Sequence, residues 1–214
     1  MTNLVSRPEL IAFSYIERGW SVIPIYECKG GKCSCGNSSC NSPGKHPRTK
    51  NGLKDASTEP LEIFQWWKKW PNANIGILTG KKSNLVVVDI DPRHGGDKSW
   101  NEFSTRFKLK NTLSVETGDN GLHLYYQYPN QNIKNKVNLL PGVDIRSEGG
   151  YVVAPPSVHA SNATYKWMNK EPILNLPKEL ENLILGKNQE NKNCQRSQIR
   201  EGERNSTLFL WLVF

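Results

Sequence analysis

The chain has 214 residues, a formal net charge of +8 and 36% hydrophobic residues. That length suits one domain with a proper core, or one domain and a small appendage. No apolar run is long enough to span a bilayer, and the N-terminus lacks the basic-then-apolar layout of a secretory leader. A cytoplasmic protein with no membrane partner is therefore expected. The positive surplus favours a polyanionic partner, and it is unevenly spread. Between Cys28 and Lys54 stand Lys29, Lys32, Lys45, Arg48 and Lys50 without one acidic residue. This basic segment, 28–54, is the best candidate in the chain for a phosphate-facing surface.

Residues 8–18 read as a helix whose apolar face carries Leu10, Ile11, Phe13, Tyr15 and Ile16, stopped by Gly19. Residues 20–26 read as a strand in which Pro24 marks an edge or a bulge. Ser57 or Thr58 can cap a second helix at 60–69, which carries Ile63, Phe64, Trp66 and Trp67. Tryptophans so near a basic loop could stack on bases, but packing against a sheet is their commoner use. A short strand at 75–78 precedes the apolar run 84–91. After the break at His94-Gly95-Gly96, Asp97 can cap a helix through Phe107. Strand-like pieces follow at 112–116, 122–128, 142–146, 151–154 and 164–167, then a helix at 176–185. Helices early and late around a strand-rich middle give an α+β or mixed-sheet class rather than a βαβ repeat. Residues 1–186 form the expected domain. Residues 187–204 are polar and read as a linker. Residues 205–214 turn apolar and would either dock on the body or begin a further unit.

The run Asn84-Leu85-Val86-Val87-Val88-Asp89-Ile90-Asp91 carries the strongest chemical signal. Alternate residues of a strand share a face, so Asp89 and Asp91 point the same way. Two carboxylates held close resist joint ionisation unless a cation sits between them. Oxygen ligands at a strand end suit magnesium or manganese. Gly142-Val143-Asp144-Ile145-Arg146 repeats the pattern, with Asp144 as a third carboxylate and Arg146 beside it to neutralise phosphate charge. Taken alone, that pair reads as an ordinary surface Asp–Arg pair on a strand.

Cys28, Cys33, Cys35 and Cys40 lie within thirteen residues, separated by glycines and serines. Four thiolates in tetrahedral array suit zinc. The spacing is not a pair of C-x2-C knuckles, and His46 could replace one cysteine. Disulfides are the competing reading, disfavoured by a cytoplasmic setting. Cys194 reads as a free thiol. His123 follows the glycine-bearing turn 118–121, where backbone amides can approach an anion. Residues 149–159 read as a buried strand ending in a Pro155-Pro156 turn that fixes Ser157 and His159. Lys45-His46-Pro47-Arg48 is a stiffened basic tetrad of similar character.

In order along about 5–185, these landmarks resemble the bifunctional DNA primase/polymerase family, usually called prim-pol, of the archaeo-eukaryotic primase superfamily. The set comprises Gly19-Trp20, the tetrad with Gly44, Trp66-Trp67 with 71–76, Thr79-Gly80, Val88-Asp89-Ile90-Asp91, 117–123, 142–146 and 149–157. The resemblance implies an RRM-like catalytic sheet fused to an N-terminal α/β unit, to which the cysteine cluster would add a small zinc-binding loop. It implies metal-binding carboxylates at Asp89, Asp91 and Asp144, and a nucleotide-binding histidine at His123. The family's usual serine two residues before that histidine is Gly121 here. Arg146, Lys45, Arg48, Ser157 and His159 are further candidates for nucleotide contacts. The expected chemistry is nucleotidyl transfer with two magnesium or manganese ions on a single-stranded DNA template with a primer and nucleoside triphosphates. The implied setting is replication of a plasmid, phage or mobile element, with a helicase as a further partner. Residues 205–214 would then begin a shortened helical region. Two other readings stay open: a non-catalytic nucleic-acid-binding module, and a metal-dependent nuclease.

Overall fold

Asp89 sits on the strand that organises the molecule. A computed structural model describes residues 7–187. The polar stretch beyond residue 187, the apolar stretch 205–214 and Cys194 lie outside the described residues. Helix α1 (Pro8–Ile16) leads into strand β1 (Val22–Ile25), a two-stranded ribbon of β2 (Cys28–Lys29) and β3 (Lys32–Cys33), helix α2 (Pro60–Lys69) and strand β4 (Asn74–Leu78). Then come β5 (Leu85–Ile90), α3 (Gly96–Arg106), β6 (Ser114–Glu116), β7 (Leu122–Gln127), β8 (Lys136–Leu140), β9 (Val143–Arg146) and β10 (Tyr151–Ala154). Strands β11 (Lys166–Trp167) and β12 (Leu174–Asn175) and helix α4 (Lys178–Ile184) complete it. The α+β class expected from the sequence is what is found.

Two main sheets form. The smaller is antiparallel in the order β1-β4-β10. Pro24 lies in its edge strand, where a missing N–H costs least. The larger runs β11-β6-β7-β5-β9-β8, with β12 beside the far end of β7 as its one parallel neighbour.

Strand β5 lies inside the larger sheet and is covered on both faces, which explains an unbroken apolar run where alternation would otherwise be expected. Val86, Val88 and Ile90 join Leu124, Tyr126, Val143 and Ile145 in one core, closed by Trp100 and Phe103 of α3 and Leu180 and Ile184 of α4. Leu85 and Val87 join Val115 and Tyr125 in a second core. There they meet Ile75 and Ile77 of β4, Tyr15 of α1 and Ile63 and Trp67 of α2. The tryptophans of α2 thus serve packing: Trp67 is buried and Trp66 leans on the same core. The second core is shared by both sheets, so they cannot part without exposing it.

Helix α2 keeps the span expected of it, and Ser57 Oγ accepts the Glu59 N–H just ahead of it. Helix α3 begins at Gly96 behind a left-handed Gly95, so Asp97 lies inside its first turn and is not its cap as expected. Strand β8 has no counterpart among the strands expected from the sequence. It is an edge strand with a register shift between Lys136 and Leu140 and a left-handed residue, Asn138. Among the described residues, no helix is long and apolar enough to cross a membrane.

Val87→Ala removes buried side-chain volume from the shared core. It is expected to lower unfolding free energy by about 1–3 kcal/mol, with a single transition seen by both tryptophan fluorescence and far-UV circular dichroism. Two separated transitions would mean that the sheets fold independently.

Candidate active site

The ladders of the larger sheet set three side chains in one row. Asp89 of β5 faces His123 of β7 on one side and Asp144 of β9 on the other, as direct partners in register. Direct partners share a face, so a carboxylate, an imidazole and a second carboxylate stand abreast across adjacent strands. The same face is packed further down by Val87 and Tyr125. At the row a cleft of about 950 Å³ opens, with Tyr151, Val152 and Val153 of β10 on its lining. Asp91, Lys45, Arg146 and His159 line that cleft as well.

Arg146 holds the row together. Its Nη2 reaches Asp144 Oδ2 at 2.8 Å and Asp89 Oδ2 at 3.2 Å, and its Nε donates to the same Asp89 oxygen at 3.3 Å. His123 Nε2 lies 3.5 Å from Asp89 Oδ1, while its buried Nδ1 has no partner. Burial alone would raise the Asp89 carboxyl. Hydrogen bonding and charge from His123, then from Arg146, overcome it and hold the group well below the usual carboxylate range. Asp144 Oδ1 also accepts the Asn138 N–H at 2.7 Å, so β8 braces the third carboxylate.

Asp91 lies one residue beyond β5 but keeps extended backbone. Its N–H continues the ladder by donating to Gly142 O at 2.8 Å. This needs two glycines back to back. A Cβ on Gly96 would stand 2.3 Å from Gly142 O, and one on Gly142 would stand 2.4 Å from Gly96 N. The Asp91 carboxylate caps the turn that follows it. Arg93 donates from its backbone N–H and Nε to Oδ1 and from Nη2 to Oδ2, all within 3.0 Å, and His94 Nδ1 lies 2.9 Å from Oδ2. The Arg93 side-chain hydrogen bonds, opposed by partial burial and helped by His94, leave Asp91 lowered to about 2.

Arg93 Nη1 also reaches Asp119 Oδ2 at 2.8 Å, and His159 Nε2 approaches the same oxygen at 3.4 Å. Asp119 thereby ties together three loops of the cleft rim. His159 Nδ1 accepts the Ser161 N–H at 3.1 Å, which puts the proton of a neutral ring on Nε2. Burial first, then the charge of Lys45, lowers the His159 pKa against the opposing pull of Asp119. The ring lies against Gly118 so closely that a Cβ there would sit 2.1 Å from His159 Cβ. Arg93 and Asp119 are not among the residues that the sequence motifs single out. The available signal was the need of a strand-end Asp-Pro turn for a cap, and the position of Asp119 in the turn ahead of His123.

Two expected contacts are made elsewhere. Arg48 pairs with Glu27 and lies over the rings of Tyr26 and Trp70. Ser157 Oγ is buried and accepts the Ile75 N–H at 2.9 Å. Neither side chain lines the cleft.

The cysteine cluster also differs from its expected membership. Cys33, Cys35, Cys40 and His46 bring their donor atoms within 4.8 Å of one another, the only such group of three or more among the described residues. Cys28 is outside it. Its thiol is buried beside Gly44, where a Cβ would stand 2.8 Å away. Tetrahedral zinc with ordinary ligand bonds separates a sulfur from a nitrogen by about 3.6 Å. The Cys33 and Cys40 sulfurs lie 3.3 and 3.5 Å from His46 Nε2. The three-cysteine, one-histidine set can therefore hold zinc. Asp89, Asp91 and Asp144 are not gathered to that degree, because guanidinium groups stand among them.

The family described as bifunctional DNA primase/polymerase, N-terminal, matches residues 12–179. The chain belongs to that family. No curated protein matches it. The prim-pol match runs from α1 into α4 and so takes in both sheets and every residue of the cleft. Prim-pol membership implies activity of the DNA primase/polymerase type, with DNA template and nucleotides as substrates.

Asp91 contributes stability that is complete above the unfolded carboxyl value, roughly 4, and is lost as pH falls towards its folded value of about 2. Arg93→Ala is expected to bring the Asp91 midpoint up towards 4 in a carboxyl-detected NMR titration. An unmoved midpoint would show that Arg93 does not set it.

Proposed function

We propose that the cleft is a metal-dependent nucleotidyl-transfer site, extending a strand on a single-stranded DNA template. The observation that carries this reading is the row His123–Asp89–Asp144 with Asp91 at its open end and Arg146 across it. Carboxylate oxygens are the donors that magnesium and manganese prefer. Asp89 and Asp144 already share one cation, the Arg146 guanidinium, so a divalent ion suits the pair by charge and donor type. In this reading Asp89, Asp91 and Asp144 hold two divalent ions. When bound, these supply Lewis-acid stabilisation of the phosphoryl oxygens and lower the pKa of the attacking hydroxyl.

The chain's own groups do the rest. Arg146 turns from the carboxylates towards the triphosphate, as a cation already positioned in a cleft of restricted dielectric. Lys45, with no carboxylate partner among the described residues, adds a second positive charge. His159 offers an Nε2–H from a ring kept neutral by its surroundings. His123, held by Asp89 in the resting site, gives up that partner and donates its Nε2–H to a phosphate oxygen. The primer 3′-oxygen bonds to the α-phosphorus of the nucleotide as the bond to pyrophosphate breaks. The hydroxyl proton is lost to solvent, and the cations receive the charge of the leaving group.

The antiparallel order β6-β7-β5-β9, with α3 joining β5 to β6, supports reading the larger sheet as RRM-like. The smaller sheet with α1 and α2 would then be the N-terminal α/β unit.

Asp89→Asn keeps the shape of the side chain and removes its charge. It is expected to lower template-directed incorporation of labelled nucleotides by about 100-fold or more, with the far-UV spectrum unchanged. Incorporation at the wild-type rate would overturn the assignment. Template binding by wild-type protein, without product in either magnesium or manganese, would favour the non-catalytic binding module.

A further inference from the structure

We infer that the Cys33/Cys35/Cys40/His46 cluster is a metal clamp that sets the place of Lys45 in the cleft, so that zinc bound on the outside of the fold governs anion binding inside it. The triphosphate part of this inference rests on the function proposed above.

The connection is covalent and short. His46 is a member of the cluster and Lys45 lines the cleft, one residue apart. Little else organises the chain ahead of them. From Ser34 to Ser42 there is no helix or strand. The backbone hydrogen bonds made there are Ser34 N–H to Glu27 O, Cys40 N–H to Asn37 O and Lys45 N–H to Ser42 O. On the far side, the chain leaving His46 is anchored on β1: Tyr26 N–H donates to His46 O and Arg48 N–H to Pro24 O. The loop is thus fixed at its two ends, and the ligand side chains gather its middle.

Lys45 has two further ties. Asn74 Nδ2 donates to Gly44 O at 3.1 Å, and the Tyr151 hydroxyl donates to Lys45 O. These hold one carbonyl each. Metal–ligand bonds to three thiolates and an imidazole are far stronger than these hydrogen bonds, so the clamp dominates the position of the loop. Asn74 also bonds Val158, at 2.8 Å to its carbonyl and 2.9 Å from its N–H. One side chain therefore ties the loop bearing Lys45 to the loop bearing His159. The two residues face the same cleft, and the charge of Lys45 is felt at the His159 ring.

The folded cores do not use the cluster. None of its members lies in any of the three apolar cores. Loss of metal should release Lys45 and leave both sheets intact, unlike small domains that unfold without zinc.

The test uses the full chain with zinc bound, stripped of zinc, and as Cys40→Ser, each with and without Lys45→Ala. Far-UV circular dichroism checks that the sheets persist. Two readouts are taken: binding of a fluorescent ATP analogue with magnesium present, and the NMR titration of His159. Zinc loss is expected to weaken nucleotide binding about tenfold, as the loss of one charged hydrogen bond would. It is also expected to raise the His159 midpoint by releasing the positive charge nearby. Both effects should vanish in the Lys45→Ala background, because metal and lysine act as one unit. A His159 midpoint indifferent to zinc, or a zinc effect that survives Lys45→Ala, would overturn the clamp. So would purified, reduced protein that neither contains nor takes up zinc. A zinc effect on His159 that depends on Lys45, in protein that binds no nucleotide, would uphold the clamp and refute the reading of the cleft.

Discussion

Two carboxylates, Asp89 and Asp144, face each other across one rung of a β-ladder, and a single guanidinium keeps them there. Without a cation between them, the negative charges would disfavour the pairing of β5 with β9 at that rung. Arg146 supplies the cation two residues along the same strand as Asp144. The rest of the cleft follows from this choice. His123 takes the other side of Asp89, Asp91 carries the row past the strand end, and Arg93 does for Asp91 what Arg146 does for its neighbours. The site is thus a set of acids each already matched to a base. A nucleotide with its metal ions would exchange partners in the set and create no new charge imbalance.

The basic character of the chain is divided between two uses. Arg146, Arg93 and Arg48 are arginines with carboxylate partners, where a planar fork of donors gives a defined geometry. Lys45 stands in the cleft as a point charge on a flexible stem, and its placement depends on what its backbone is tied to. This is why a lysine benefits from an external anchor and the arginines do not.

Much of this was legible in the sequence. Alternation along β5 gives the shared face of Asp89 and Asp91, and the covering of both faces by core explains the apolar run before them. Proline and tryptophan spacing gives α2 to the residue. Which strands flank β5 was not legible residue by residue, because His123 and Asp144 lie tens of residues away and a ladder register belongs to the folded sheet. The resemblance to a family supplied what the pattern could not. Spacing alone left four cysteines and a histidine as candidates for one metal. Only the ribbon β2–β3 and the loop behind it turn Cys28 towards Gly44 and His46 towards the thiols. Arg48 and Ser157 looked available because the sequence does not show Glu27, Tyr26 and the backbone of Ile75 closing on them. Strand β8 escaped because an irregular edge strand has neither alternation nor an apolar run.

The ladder register also determines where this chain can change length. A strand has only two faces, and neighbours along it alternate between them. Inserting or deleting one residue between the start of β5 and Asp89 would present Val88 or Ile90 to the cleft and bury a carboxylate among Trp100, Phe103 and Leu180. The same holds for β7 ahead of His123 and for β9 ahead of Asp144. The chemistry is therefore indexed by parity, and strand segments are closed to single-residue drift. The loops carrying the cysteines and the rim residues follow no such rule. New lengths in this domain should accumulate there, outside the three strands that carry the row.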